Sequence, residues 1–181
     1  MKLIIIDGSP ASGKTTLGKL LVEELGARGD KARFLDWDDY VEAVNPTWVW
    51  DNKQNEERDK GIAGASLAND TDKYLKQNFI VITVGTFLIK RDLIRYLSNL
   101  KTNIPVYLYH LNVSLSLRRK RNHKREYNPL LDLEKDQRER DEIKKWYGHV
   151  YENINSPKED AKNLLKLVRN NQGHLDLLKF R

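Results

Sequence analysis

The sequence holds no cysteine, so a disulfide framework and thiol chemistry are both excluded. That absence fits a reducing compartment, and a cytoplasmic location is the expectation. No run of about eighteen apolar residues exists, and the first residues enter a strand-like segment directly, so neither a membrane span nor a cleavable leader is expected. The five prolines are scattered, and there is no low-complexity linker and no internal repeat. At 181 residues the chain has room for one well-packed domain and not for two, so residues 1–181 are read as a single domain.

Acidic residues are in deficit, 26 against 32 Lys and Arg, a formal charge of +6. The excess is local. The stretch RRKRNHKR, residues 118–125, carries six basic side chains and no acid, and the rest of the chain holds 26 of each sign. A broad basic face for duplex nucleic acid is therefore not expected, and one anion site is.

The most informative stretch is IIIDGSPASGKTTLGKLL. Ile4, Ile5 and Ile6 predict a strand buried on both faces, because β-branched residues without polar alternation suit a covered sheet. From Leu17 onward the leucines recur at helical spacing. Between strand and helix lies Gly8-Ser9-Pro10-Ala11-Ser12-Gly13-Lys14-Thr15, a full phosphate-loop pattern, followed by Thr16. Its residue types follow from the task. Peptide N–H groups must converge on a triphosphate, so the loop has to curl where glycine removes the obstructing Cβ. The helix that follows directs its positive end at the phosphates. Lys14 adds a point charge, and the Thr15 hydroxyl suits Mg²⁺.

Further strands are read at 32–35, 79–84 and 104–111, with a shorter one at 149–154. Helices are read at 15–25, 53–77 (one or two, given Gly61 and Gly64), 90–100, from Ser114 onward, and from Leu133 to Tyr147. A helical turn is read at 38–43. Ser156-Pro157-Lys158-Glu159 is a capping box opening a last helix through Val168. The tail GHLDLLKF is a strand or an ordered edge. Alternation of strands and helices predicts an α/β three-layer sandwich, a parallel sheet of about five strands with helices on both faces. Ligands in such sheets sit at the carboxyl ends of the strands, which is where the remaining candidates are sought.

After the second strand comes LDWDDY. Phosphoryl transfer to an alcohol needs a carboxylate to orient the hydroxyl and carboxylates to help hold Mg²⁺, and Asp36 and Asp38 suit either task. Capping of a helical turn is the competing role, most of all for Asp39. After the third strand comes TVGTF, where Gly85 allows close approach and Thr86 can reach an acceptor. After the fourth comes a basic helix on which Arg118, Arg121 and Arg125 share a face, a repulsive arrangement that an anion relieves. Asn128-Pro129 breaks this segment and suggests a hinged flap. Trp48 and Trp50, in a loop near Tyr40, either stack on a flat ligand or plug the sheet edge.

These motifs resemble the small P-loop kinases related to polynucleotide 5′-hydroxyl kinases and chloramphenicol phosphotransferase, with shikimate and gluconate kinases further off. WDDY resembles the turn that carries the aspartate base, which makes Asp38 the base. Asp36-x-Asp38 resembles the shikimate-kinase pair, in which the first acid serves Mg²⁺. YLYHLNVSLSLRRKRNHKR resembles the strand leading into an arginine lid, here about 118–140, with Arg121 and Arg125 at the lid positions and Arg118 beside the nucleotide. Val84 stands where the family usually ends its third strand with an acid, which leaves Mg²⁺ to Thr15 and Asp36. The resemblance implies an ATP- and Mg²⁺-dependent phosphotransferase acting on a hydroxyl of a small molecule or nucleoside, or of a nucleic-acid 5′ end. The alternative is a nucleotide-binding regulator or NTPase without an acceptor. NKQN, residues 52–55, does not make a guanine-reading motif, since it lacks the aspartate and precedes the third strand.

Overall fold

The computed structural model describes residues 1–87, 90–124, 132–143 and 146–179, of Lys90 the backbone alone. Strands β1 (Lys2–Gly8), β2 (Ala32–Asp36), β3 (Ile80–Gly85), β4 (Val106–Asn112) and β5 (His149–Glu152) form a parallel sheet in the order β2-β3-β1-β4-β5. A two-residue strand β6 (His174–Leu175) runs antiparallel to the first half of β4, while β5 covers its second half. The tail is thus an ordered edge, ending in a 3₁₀ turn at Leu177–Lys179.

Alternate residues of β1 sort the two faces. Leu3 and Ile5 point into one core with residues of α2 (Trp37–Val44), α3 (Lys53–Lys76) and α4 (Lys90–Leu97). Ile4 and Ile6 point into the other with α1 (Lys14–Gly26) and α7 (Pro157–Arg169). This is the three-layer sandwich the strand and helix pattern predicts. Two further helices, α5 (Leu115–His123) and α6 (Leu133–Asp141), lie in the segment expected to be the lid. Arg125 and the Asn128-Pro129 break fall outside the described residues. The helices expected over 133–147 and 90–100 are shorter, ending at Asp141 and Leu97.

α3 is one uninterrupted helix despite its two glycines. Gly64 is there for contact: a Cβ would lie 3.3 Å from the Arg95 carbonyl carbon, so its absence lets α4 approach closely. α7 opens as the capping box predicts, with Ser156 Oγ accepting from the Glu159 N–H at 3.3 Å. Beneath the sheet the buried Tyr96 hydroxyl lies 2.8 Å from Thr71 Oγ1 and 3.0 Å from Thr83 Oγ1, joining α4 to α3 and β3. Burial pushes the phenol pKa up, so the hydroxyl keeps its proton and serves both partners. Tyr96→Phe leaves two buried threonine hydroxyls short of a partner and is expected to cost about 1–3 kcal/mol. Chemical denaturation checks this; an unchanged midpoint would show that the threonines find other partners.

Candidate functional site

The carboxyl edge of the sheet brings distant parts of the chain into register. Asp36 of β2 pairs with Val84 of β3, and Asp7 of β1 lies between Gly85 of β3 and His110 of β4. The phosphate loop leaves β1 at this edge. It turns through Ala11 at φ 60° and Gly13 at φ 94°, and the Ser12 N–H donates to the Ser9 carbonyl at 3.1 Å. Gly8 is required because a Cβ there would collide with Ser12 Oγ.

Side-chain capping separates α1 from its neighbours. Asp36, Asn52, Ser114, Asp132 and Ser156 each accept a hydrogen bond from the first turn of α2, α3, α5, α6 and α7. α1 begins at Gly13 with no side-chain cap and no acid in its first turn. Its leading N–H groups therefore remain available to an outside anion. Ser12 Oγ, buried in the loop, likewise has no hydrogen-bond partner among the described residues. Bare helix end, curled loop and orphaned hydroxyl together fit a phosphate chain.

Lys14 Nζ lies 3.5 Å from the Ser9 carbonyl, folded back over the loop. Burial lowers its pKa, opposed by the charges of Asp38, Asp7 and Asp36. Those three acids therefore surround it. Thr15 Oγ1 donates to Asp36 Oδ2 at 3.3 Å, so the two residues expected to hold Mg²⁺ offer oxygens side by side. One carboxylate and one hydroxyl suit a cation that takes its other ligands from water and phosphate. Asp36 also caps α2 by accepting from the Asp38 N–H at 3.2 Å, so the side chain expected to be a ligand already has the capping role.

Burial, then the charge of Asp38, raises the Asp36 pKa to about 6. Because the folded state holds this proton more tightly than the unfolded chain, the group's effect on stability becomes less favourable as pH rises from about 4 to about 6. Mg²⁺ needs the carboxylate, so its affinity should rise through the same window. Asp36→Asn is expected to stabilise the metal-free protein at pH 7 and to flatten the pH dependence of Mg²⁺ binding. Thermal melts with and without Mg²⁺ between pH 5 and 8 check both; an Mg²⁺ response equal in the variant would remove Asp36 as a ligand.

Asp38 is exposed by area, yet protein crowding its carboxyl raises its pKa, while Lys14 pulls it back. It stands in the first turn of α2, next to the buried Trp37. Thr86 does not point freely at an acceptor: its hydroxyl donates to the Gly8 carbonyl at 3.3 Å, bracing the loop. Val84 packs beneath α1, where a Cβ on Gly18 would come within 2.7 Å of it, and so serves the core. Trp50 donates through Nε1 to Asp59 at 3.0 Å and packs on the α2–α4 core, whereas Trp48 stays 40% exposed.

The arginines divide differently from the expectation. Arg118 is 1% exposed and bonds Asp136 Oδ2 at 2.7 Å, so it anchors α5 to α6 instead of facing a nucleotide. Arg121 reaches the phosphate loop, but from behind. It donates to the Ser12 carbonyl at 2.9 Å and to the Asn153 carbonyl at 3.2 Å, while Asn153 Nδ2 also donates to Ser12 at 2.7 Å. Beside this brace runs a cleft of about 240 Å³ lined by Gly13, Thr16, Arg121, Asn155 and Pro157.

Three residues that the motifs do not single out meet at the loop. The Asp7 carboxylate, fully buried, accepts from His110 Nδ1 at 2.6 Å and from the Phe87 N–H at 2.7 Å. Burial alone would raise its pKa, but His110 and then Arg140 outweigh that and hold it low. Arg140, on α6, lies 3.6 Å from Asp7. A strand-end acid directly before Gly8 is the one sequence signal that could have drawn attention to this cluster.

No curated protein sequence matches the chain. Among solved structures, a sugar kinase from Janibacter sp. HTCC2649 superposes with TM-score 0.67 at 17% identity, covering 93% of this chain and 95% of the other. A tunicamycin resistance protein from Deinococcus radiodurans gives 0.66 at 14%, covering 97% and 98%. Shikimate kinase from Acinetobacter baumannii in complex with shikimate gives 0.58 at 19%, covering 94% and 93%. At such identities the likeness concerns the fold alone. A family model described as an AAA domain matches residues 3–150, well over half of the sequence, and the chain belongs to that family.

Proposed function

We propose that the protein is an ATP- and Mg²⁺-dependent phosphotransferase that moves the γ-phosphoryl group to a hydroxyl of a small-molecule or nucleoside acceptor. The observation that carries this is the uncapped N-terminus of α1 inside a left-turning loop, with Lys14, Thr15 and Asp36 grouped at its mouth. Kinase structures among the fold's neighbours, and the resemblance to polynucleotide kinases and chloramphenicol phosphotransferase, support it.

Under this reading the backbone N–H groups between Gly8 and Thr16, Pro10 excepted, and the Lys14 ammonium hold the phosphate chain. Thr15 and Asp36 would hold Mg²⁺, which would supply charge neutralisation to the phosphates. Asp38 orients the acceptor hydroxyl and takes its proton; a carboxyl pKa raised by its surroundings suits a base more than a solvated aspartate would. Arg121 and Pro157 flank the cleft behind the loop, where the nucleotide base fits. From the sequence, the charge that builds on the moving phosphoryl group falls to Arg121 and Arg125; with Arg121 bonded to the Ser12 and Asn153 carbonyls, Arg140 joins Arg125 as the candidate. Positioning and electrostatics supply nearly all the acceleration.

The test is incubation with γ-labelled ATP, Mg²⁺ and a panel of nucleosides, oligonucleotide ends, sugars and phenicol- or aminoglycoside-like alcohols. Label transferred to one class of hydroxyl supports the reading. Bound triphosphate that is hydrolysed or retained, with no acceptor labelled across the panel, favours the regulator or NTPase instead.

A further inference from the structure

Both ring nitrogens of His110 face acceptors. Nδ1 lies 2.6 Å from Asp7 Oδ2, and Nε2 lies 2.5 Å from the Tyr147 carbonyl. A carbonyl only accepts, so Nε2 must carry a proton. The proton between Nδ1 and Asp7 then belongs either to the ring or to the carboxyl. Asp7 accepts a further N–H from Phe87 and faces Arg140, and both favour the ionised carboxylate. The geometry therefore assigns a buried imidazolium–carboxylate pair at the root of the phosphate loop.

That pair explains an oddity at its side. The Arg140 side chain is nine-tenths buried, yet its Nε and Nη2 have no hydrogen-bond partner among the described residues. Its acids stand off, Asp7 at 3.6 Å and Asp136 at 3.9 Å, and Asp136 is already bonded to Arg118. Arg140 lines a cleft of about 160 Å³ with Ser9 of the phosphate loop, His110, Gln137 and Asp141, whose carboxylate is taken up by Gln137 Nε2 at 2.7 Å. The charged groups around the pair are thus Asp7 from β1, Lys14 from α1, and Arg140 and Asp136 from α6.

We propose that His110 is a positioning residue: its positive charge satisfies Asp7 and so leaves Arg140 only loosely held by its acids, at 3.6 and 3.9 Å, and available to an anion arriving at the phosphate loop. Without that charge, Asp7 is a buried carboxylate that keeps the Phe87 N–H and whose nearest remaining cation is Arg140, and the guanidinium closes the short gap to it. Loss of the Nδ1 proton leaves the Nε2–Tyr147 contact in place, so Trp146 stays against the imidazole at 4.4 Å and under Arg140 at 5.4 Å. The consequence for phosphates rests on the phosphotransferase reading; the charge state of His110 does not.

Two measurements on the full chain test this. The first is emission of Trp146 against pH, since a protonated imidazole quenches an indole in contact with it. Emission should rise where base removes the imidazolium proton, and the step should vanish in Trp146→Phe. The second is affinity for the β,γ-imido analogue of ATP with Mg²⁺. His110→Gln should weaken it on the order of tenfold, the loss of one charge-assisted contact. Wild type should weaken by a similar factor across its own emission step, where the variant stays flat. The double variant Asp7→Asn/His110→Gln removes the trap for Arg140 and should recover most of the affinity. A double variant as weak as the single one, or an emission step with equal affinity on either side, would overturn the proposal. If no analogue binds under any condition, the phosphotransferase reading fails, while the emission step still reports on the pair.

Discussion

Lys14→Ala is expected to cut phosphoryl transfer by roughly 10³ and to weaken triphosphate binding by well over tenfold. The reason is that this ammonium is the counter-charge for three acids as well as for the phosphates. Asp38, Asp7 and Asp36 all act on Lys14, and burial already works against its charge. Removing it leaves the mouth of the loop net negative, which opposes an incoming polyanion more than the loss of one contact would. Lys14→Arg keeps the charge but not the compact ammonium, so partial recovery of binding with little recovery of rate is expected. Titration calorimetry and single-turnover transfer check the two quantities separately. Wild-type affinity in Lys14→Ala would mean that the loop amides alone hold the ligand.

Asp38→Asn should lower transfer about 10²–10⁴-fold, the usual range for a positioned base, and leave nucleotide affinity within about twofold. Asparagine keeps the shape and the first-turn position but cannot take a proton. The α2 cap survives because it is the Asp36 side chain that accepts, and the backbone N–H of residue 38 still donates. Losing an acid next to Lys14 should, if anything, favour the phosphates slightly. Comparing kcat with analogue affinity in the variant separates a base from a merely electrostatic neighbour. Unchanged transfer would remove Asp38 from the mechanism.

The loop and its two flanking elements were legible because every determinant is local. Ile4–Ile6, the glycine spacing and the leucine repeat fall within about two dozen residues. The capping box at Ser156 was readable for the same reason. The continuity of α3 was not, since Gly64 weakens a helix in isolation and only the proximity of Arg95 explains its presence. The roles of Arg118 and Arg121 could not be separated by spacing either. They lie three residues apart on one helix, and which turns inward depends on where Asp136 and the phosphate loop sit. The Asp7–His110 pair was hidden for a comparable reason: the two residues are 103 positions apart and meet only through the β1–β4 register. Strand-end residues of opposite charge on neighbouring parallel strands carry no pattern that a single-strand reading detects.

The account turns on a magnesium triphosphate seated against the bare end of α1. Isothermal titration of the wild-type chain with the β,γ-imido analogue of ATP, with Mg²⁺ and again with a chelator, measures this most directly. Saturable one-to-one binding that weakens sharply on chelation is the expected result. No measurable heat at millimolar ligand, or binding indifferent to Mg²⁺ and to Lys14→Ala alike, would contradict it.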